Sequence, residues 1–532
     1  MAEIVHPRFL SACASTSSPV ENMGWGLPPL VGIRTASLGG SPSRLVDHRG
    51  PGRPGRVGSF SDREWGVLRD PQHRVRLGEA DPSLTPRAGL RLVAELDRIL
   101  GVVATLDDHI GPTTARRRGL SAAELVVSMA ETMLGGGDFM VDLDHQRGDL
   151  AGAPLRAVPE IPASTTFIGR TKAFEEKVFS GIEEATGELC RRWFALLPDK
   201  RRATLCASRP SVDLDPTDVE VYGSMKEGIE WNHAGRRVGR PHPAIWAEAG
   251  VCLAADLGSG TSDPRPQAPS LIARAIAALP GGLLRPIVRC DSGFFDRAVA
   301  VAALANGADF AICAKRNPAA WRACREIDES AWRPAQAMEA EVAECDYRPA
   351  AWPKGTRCVV RRVRVDADGL RSDPRSRRRR TIDPAQLMLL EEAEIGFAYA
   401  YSFILTSLDW EAVEIEAWFR MRALVEEKLK DAKLGAALRH LPSGFVAVNR
   451  TWMWSAFLAL NISTWLQSLC GLDAGPHGRA HGKRLRRELI AIPARVLRHA
   501  HRLVLRVAPE QRDGVFADAW ATLLAMASFA GP

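Results

Sequence analysis

The order of strands and helices between residues 211 and 314 constrains the fold more than any other feature of the sequence. Ser211–Asp215 alternates, with Val212 and Leu214 on one face and Asp213 and Asp215 on the other. Further strands are predicted at Ala244–Ala249, Val251–Leu257, Pro286–Cys290 and Ala308–Ala314, and helices at about Pro269–Leu279 and Phe295–Asn306. Three strands, helix, strand, helix, strand is an order that predicts an α/β sheet.

The stretch before this sheet has helical periodicity. Thr85 and Pro86 fit the cap and the first position of a helix. Its apolar stripe is Leu92, Leu96, Ile99 and Leu100. A second helix is predicted to begin at the capping box Ser121–Glu124 and to end at Gly135–Gly137. A third is predicted over about Ser164–Leu197.

The sequence divides into six segments. Residues 1–75 are rich in Gly, Pro, Ser and Arg without periodicity, which is typical of disorder. The others are a helical domain (76–205) that either binds DNA or is only a scaffold, an RNase H-like core in two parts (206–315 and 401–470), a β-rich insertion (316–400) and a basic helical C-terminal region (471–532). The second core part contains predicted helices at about Trp410–Leu438 and Val448–Leu469, the latter apolar enough to be buried.

Positive charge is clustered along the chain. There are 70 Lys and Arg against 63 Asp and Glu, a net charge of +7. The clusters are Arg116–Arg118, Arg375–Arg380, Lys483–Arg487 and, at helical spacing, Arg495, Arg498, Arg502 and Arg506. They suit a polyanion, because each neutralised phosphate releases counterions, although a solvated helix face has the same pattern.

The cysteines and the apolar runs exclude several classes of protein. Ten cysteines without a CxxC pair argue against a zinc site and a disulfide framework, so we expect buried thiols in a reducing compartment. No apolar run is as long as a membrane span, and the start does not resemble a signal peptide. We therefore expect a cytoplasmic protein without membrane contact.

Charged side chains share one face of the predicted helix 410–438. At 3.6 residues per turn, Phe419, Arg422, Glu426 and Lys433 fall within a narrow sector. A stripe facing a core would be apolar, so this face indicates a charged ligand. The alternative is a solvated face held by an Arg422–Glu426 ion pair.

Two aspartates complete a possible metal site. Asp215 and Asp291 each lie at or near the end of a predicted strand, where sheets present ligands. One carboxylate from each of two strands and a third from a helix can hold two divalent ions, and hard oxygen ligands favour Mg²⁺ or Mn²⁺. Asp213 and Asp218 remain alternatives to the first aspartate.

Several motifs resemble one large group of bacterial insertion-sequence transposases of the DDE type. Phe419-x2-Arg422-x3-Glu426-x6-Lys433 is similar to their Y-x2-R-x3-E-x6-K signature, with Phe in place of Tyr. Asp215-Pro216-Thr217 resembles their D-x-T, and Arg289–Phe294 their R-x-D-S-G-F/Y segment. The segments 222–242 and 438–443 resemble the insertion sequence 1380 group.

The resemblance implies an activity and partners. Asp215, Asp291 and Glu426 would be the catalytic, metal-binding triad for two Mg²⁺ or Mn²⁺ ions, and Arg422, Lys433 and Phe419 would contact DNA. A homodimer on double-stranded element ends and target DNA, associated with the bacterial nucleoid, would cut and rejoin them. In relatives a flipped base can stack on an aromatic ring. Trp321, Trp332 or Trp352 could do so, although core packing is the favoured interpretation.

Two other functions remain open. One is an RNase H-like nuclease without strand transfer, and the other is a catalytically inactive DNA-binding copy. Gly258–Ser262 lacks the lysine of a phosphate-binding loop and is interpreted as a turn. His233 and His242 have no third ligand nearby in the sequence and are interpreted as ordinary histidines.

Overall fold

The computed structural model describes residues 78–529 except 114–118, 224, 374–375, 393, 475–477 and 501. The predicted disordered segment 1–75 and the cluster Arg116–Arg118 lie outside the described residues. No helix of the described part is long and apolar enough to cross a membrane.

The N-terminal part is helical, as predicted. After a two-residue strand β1 (Leu84–Thr85) come the helices α1 (Leu90–Leu100), α2 (Val102–Ile110), α3 (Ala122–Leu134), α4 (Asp142–Gly148), α5 (Ser164–Thr171), α6 (Glu176–Leu196) and α7 (Asp199–Ala207). The capping box is confirmed, because Ser121 and Glu124 satisfy each other's backbone N–H at the start of α3. Gly135 follows the last residue of α3, also as predicted.

Two N-terminal helix predictions were wrong. Thr85 does not cap a helix, because its backbone pairs with Ala494 and its hydroxyl donates to Asp149, so α1 begins only at Leu90. The predicted helix 164–197 is two helices, and the chain turns between Lys172 and Glu175.

One large mixed sheet forms the centre of the molecule. Its first members are the strands β2 (Ser211–Leu214), β3 (Val219–Glu220), β4 (Glu230–Trp231), β5 (Arg237–Trp246), β6 (Val251–Ser259), β7 (Ile287–Cys290) and β8 (Asp309–Cys313), with helices α8 (Ala268–Ala278) and α9 (Arg297–Ala305) between them. Strands β2, β7 and β8 are parallel neighbours, and β5 lies antiparallel to β2. The predicted order of strands and helices is confirmed here, and β3 and β4 are additional short strands.

The segment predicted as an insertion continues the same sheet. It contains α10 (Pro318–Arg325), β9 (Arg333–Pro334), β10 (Ala340–Cys345), β11 (Arg357–Asp366), α11 (Ala367–Ser372) and α12 (Pro384–Glu391), and it is followed by β12 (Phe397–Thr406). Strand β12 pairs with β11 on one side and with β8 on the other. Within the described residues the sheet therefore has eleven strands, and the boundary predicted at residue 400 falls inside β12.

Three further helices follow β12 in the chain. They are α13 (Ala412–Arg420), α14 (Ala423–Gly435) and α15 (Val446–Leu469). The last was predicted to be buried, and nearly every side chain from Val448 onward is buried, including Trp452, Trp454 and Trp465. It packs against α3 and β6, and so joins the N-terminal helices to the sheet.

The C-terminal region does not form the predicted basic helix. It contains α16 (Gly482–Leu485), β13 (Ala494–His499), β14 (Arg502–Arg506), α17 (Pro509–Arg512) and α18 (Val515–Phe529). Arg495, Arg498, Arg502 and Arg506 lie on an antiparallel hairpin. The β-branched and apolar residues between these arginines favour a strand. Strand β13 also pairs with β1, which extends the hairpin to three strands.

Candidate active site

Asp215 and Asp291 emerge side by side from the sheet. Strands β2 and β7 are parallel neighbours, and Leu214 pairs with Cys290 in their register. Each aspartate is the residue that follows its strand. Since parallel strands end at the same edge, the two carboxylates leave the sheet at one place, as sequence reasoning expected.

The turn after Asp291 fixes the backbone of that residue. Its carboxylate oxygen Oδ1 accepts the backbone N–H of Gly293 at 2.8 Å. A side chain at position 293 would place its Cβ 2.9 Å from the same oxygen, so glycine leaves room for this close turn. The local geometry of the turn therefore explains the glycine that follows Ser292 in the sequence.

Glu426 lies in the first turn of α14 and lines a cleft of about 380 Å³ together with Asp215. Thr217, Lys430, Lys433 and Arg439 also line this cleft. Lys430 and Arg439 were not proposed from the sequence, although Arg439 belongs to the quoted segment 438–443. The cleft gathers two of the three predicted carboxylates, and the charge of the third acts on Asp215.

The charges of Asp291 and Glu426 both act on Asp215. Burial is the main cause that raises the pKa of Asp215 to about 6, and the charges of Asp291 and Glu426 raise it further. The positive charge of Arg422 opposes this shift, and so does the hydrogen bond that its guanidinium donates to Asp215 Oδ1. A buried carboxylate with two acidic neighbours favours a bound cation, which here is a guanidinium.

The chemistry of these donors fits a hard divalent cation, because they are carboxylate oxygens. Among the described residues, however, no three His, Cys, Asp or Glu side chains are already arranged to hold a metal ion. Asp215 is ion-paired with Arg422 in this arrangement.

The two alternatives to Asp215 have other partners. Asp213 lies on the same strand face but is completely buried, and it accepts two hydrogen bonds from Arg289 at 2.6 and 2.8 Å. Asp218 accepts from Asn232 at 2.7 Å and lies 3.1 Å from Arg240. Of these three aspartates, Asp215 is the one that lines the cleft with Glu426.

The helix that was predicted over 410–438 is interrupted. Helix α13 ends at Arg420, and α14 begins at Ala423. The carbonyl of Trp418 accepts from Arg289 at 2.6 Å, and Arg422 turns toward Asp215. These two contacts anchor the chain to the ends of β7 and β2 at the interruption.

This interruption separates the four residues that the helical periodicity had grouped. Phe419 is on α13, where it packs against an apolar cluster that includes Ile287 and Ile415. Lys433 is on α14, and its Nζ donates to the backbone carbonyl of Asp218 at 2.8 Å. Arg422 and Lys433 therefore lie beside the carboxylates, whereas Phe419 lies in an apolar environment.

Trp321, Trp332 and Trp352 are buried among other rings, which agrees with the favoured core-packing interpretation. Trp352 stacks on Phe295 with ring centroids 5.2 Å apart, and Trp321 meets Phe403 edge-on at 5.4 Å. The guanidinium of Arg362 lies over the Trp332 ring.

The family model "Transposase DDE domain group 1" matches residues 69–373 and 383–526 of the chain. The matched residues are most of the chain. The protein belongs to this family of DDE transposases. The match concerns the family as a whole, so the narrower insertion sequence 1380 group and its helix signature remain a prediction.

Two further comparisons add little to the family assignment. The DDE transposase has no match among curated proteins. Among solved structures it is similar to a piggyBac transposase in a synaptic complex with hairpin DNA, with 9% identity and a TM-score of 0.36. That likeness covers 76% of this chain and 79% of the other.

Proposed function

We propose that this transposase binds the inverted-repeat ends of an insertion sequence, cleaves them and joins their 3′-hydroxyl ends to target DNA. The observation that supports this most is the placement of Asp215 and Asp291 at adjacent parallel strand ends, in electrostatic contact with Glu426. We propose these three as the catalytic residues, on a core of RNase H-like plan.

The same three side chains would hold two Mg²⁺ or Mn²⁺ ions. Such ions, when bound, activate a water or a 3′-hydroxyl and stabilise the leaving oxygen of the phosphodiester. The chain contributes carboxylate oxygens at the edge of the sheet. Because Asp215 is largely buried, charge interactions there are stronger than in water. Arg422 would exchange its contact with Asp215 for a DNA phosphate when the cations are present.

The basic residues of the cleft would position the DNA. Lys433 is held by the Asp218 carbonyl beside Asp215, and Arg422 carries the planar guanidinium that suits a phosphate. Phe419 would support this surface from α13, where it packs beside Trp418. A homodimer would bring two element ends together, and the N-terminal helices of residues 76–205 would contribute to end binding.

Strand transfer can be tested with the full chain, a labelled duplex of the element end and a supercoiled target plasmid. In Mg²⁺ we expect cleavage at the end and labelled plasmid as the joined product. Cleavage without joined product would indicate the nuclease, and binding without cleavage the inactive copy.

A matched pair of variants tests the role of Glu426. Glu426→Gln should abolish cleavage, whereas Glu427→Gln, at the next and exposed position of α14, should retain it. Cleavage that survives Glu426→Gln would contradict the assignment of Glu426, and loss in both variants would indicate a general disturbance of α14.

A further inference from the structure

The C-terminal hairpin has one strongly basic face. In β13 and β14 the pairs Arg495–Arg506, Leu497–Val504 and His499–Arg502 lie directly opposite each other. Because side chains alternate along a strand, these six share one side of the hairpin. Residues 494–506 contain four arginines, two histidines and no Asp or Glu.

The opposite face holds the hairpin on the protein. Val496 and Leu505 face each other across the strands and pack against the main core. Strand β1 adds to β13, and the backbone N–H of Val496 donates to the carbonyl of Ser83 at 2.8 Å. The basic face is thus presented outward by an anchored strand pair rather than by a free loop.

The charges on this face are largely unneutralised. Arg495 pairs with Asp81 at 2.6 Å, whereas Arg502 and Arg506 have no acidic side chain within 4.0 Å among the described residues. All three arginines are exposed. Arg495 and Arg506 stand opposite each other, and like charges in that arrangement destabilise a sheet. An anionic ligand would relieve this repulsion.

The hairpin lies within reach of DNA held at Glu426. Nine residues of α14 separate Glu426 from Gly435, a distance of about 14 Å. The backbones of Gly435 and Gly482 are in close contact, since a Cβ on Gly482 would lie 2.6 Å from the Gly435 Cα. From Gly482 to Ala494 the chain can span at most about 42 Å. With about 4 Å between the two glycine Cα atoms, the total to the first residue of the hairpin is about 60 Å at most. This is less than two turns of B-DNA at about 34 Å each.

We propose that the exposed face of the β13–β14 hairpin, formed by Arg495, Arg502 and Arg506, is a docking surface for the phosphate backbone of double-stranded DNA. The surface rests on the proposed function, because it would hold the duplex that extends from the cleft. Arginine guanidinium groups suit phosphate oxygens, and a two-stranded ribbon is narrow enough to enter the major groove. Phosphate contacts carry no sequence information, so the surface would add affinity without specificity.

The test compares DNA affinity as a function of salt for the full chain and two double variants. Arg502→Gln/Arg506→Gln removes both charges, and Arg502→Lys/Arg506→Lys keeps them as the matched control. Affinity is measured by fluorescence anisotropy on an element-end duplex and on an unrelated duplex of equal length. For the Gln variant we expect at least about tenfold weaker binding to both duplexes and a salt slope lower by about two. The Lys variant should stay close to the parent protein.

Other outcomes separate this inference from the proposed function. Unchanged affinity and salt slope in the Gln variant would overturn the docking surface, even if element ends are cleaved. Loss of self-association in light scattering, with DNA affinity unchanged, would mean that the face binds a second copy of the chain. Conversely, the expected effect on both duplexes without any end cleavage would support the surface and contradict the transposition reaction.

Discussion

The guanidinium of Arg289 donates two hydrogen bonds to the carboxylate of Asp213, and both side chains are excluded from solvent. The same guanidinium donates to the Trp418 carbonyl and lies over the Trp418 ring. Asp213 is on β2, Arg289 on β7 and Trp418 on α13, so one ion pair joins three elements around the candidate site. Two residues after Asp213 on the chain, Asp215 faces the cleft instead.

We therefore expect opposite phenotypes from two neighbouring aspartates. Asp213→Asn would leave the Arg289 charge buried without its counterion and lower the free energy of unfolding by about 3–5 kcal/mol. Asp215→Asn should leave the fold intact and abolish Mg²⁺-dependent cleavage. Chemical denaturation and an end-cleavage assay distinguish the two. A stable, inactive Asp213→Asn together with an active Asp215→Asn would reverse the assignment.

The buried Glu131 should make stability depend on pH. Burial raises its pKa to about 8, against the hydrogen bonds that it accepts from the backbone of Ala157 and Val158. Between pH 4.5 and 8 the unfolded chain has lost this proton and the folded chain keeps it, so stability falls as pH rises, by about 1.4 kcal/mol per unit. Above about pH 8 both states are ionised and the contribution is constant.

Glu131→Gln should remove this part of the pH dependence. The difference in unfolding free energy between the parent protein and the variant, measured by denaturation from pH 5 to 9, should decrease up to about pH 8 and then level off. A difference that stays constant over that range would contradict a protonated Glu131.

Two glycines of the N-terminal part, Gly89 just before α1 and Gly169 inside α5, should respond oppositely to substitution by alanine. A Cβ on Gly89 would lie 1.7 Å from the Leu489 carbonyl oxygen and 2.6 Å from the Ile490 Cα. Both are backbone atoms that cannot give way cheaply, so Gly89→Ala should destabilise by about 3 kcal/mol or more. A Cβ on Gly169, inside α5, meets nothing within 4 Å, so Gly169→Ala should stabilise by about 0.5–1 kcal/mol. Thermal unfolding measures both, and equal shifts would refute the packing of α1 against residues 489–490.

Lys433 should matter more for cleavage than its neighbour in the same cleft. Its ammonium group is fixed by the Asp218 carbonyl, and burial lowers its pKa. Lys433→Ala, which removes this charge beside Asp215, should lower kcat/KM at least about tenfold, or about 1.4 kcal/mol. Lys430→Ala, at an exposed position that also lines the cleft, is the control and should cost less. A larger loss in the Lys430 variant would contradict the role given to Lys433.

Local signals were sufficient for several elements. The Ser121–Glu124 capping box is read directly from residue spacing, and it forms because the two side chains satisfy N–H groups within one turn. The strand that precedes Asp291 and the buried α15 follow equally from their apolar runs. Such features depend only on neighbours within a few residues, and those neighbours can be read directly from the sequence.

Other elements depended on partners that are remote in sequence. Arginines spaced by three or four residues fit a helix, but the segment that contains them pairs as a strand with β1. The paired residues Thr85 and Ala494 are 409 positions apart in the sequence. The helical periodicity continues from 410 to 438, but the helix itself is interrupted at Arg422. Next to the interruption, Arg289 donates to the Trp418 carbonyl and Arg422 donates to Asp215. No local pattern reports those contacts.

The sequence by itself determined the types of the chemical groups and the strand ends that carry Asp215 and Asp291, because side-chain alternation and turn residues are local properties. Only the tertiary structure distinguishes the surroundings of Asp213 from those of Asp215. The two share one strand face and differ in what reaches them, Arg289 from β7 for one and the α13–α14 junction for the other. Such long-range pairing depends on the register of adjacent strands, which the chain adopts only when the whole sheet is assembled.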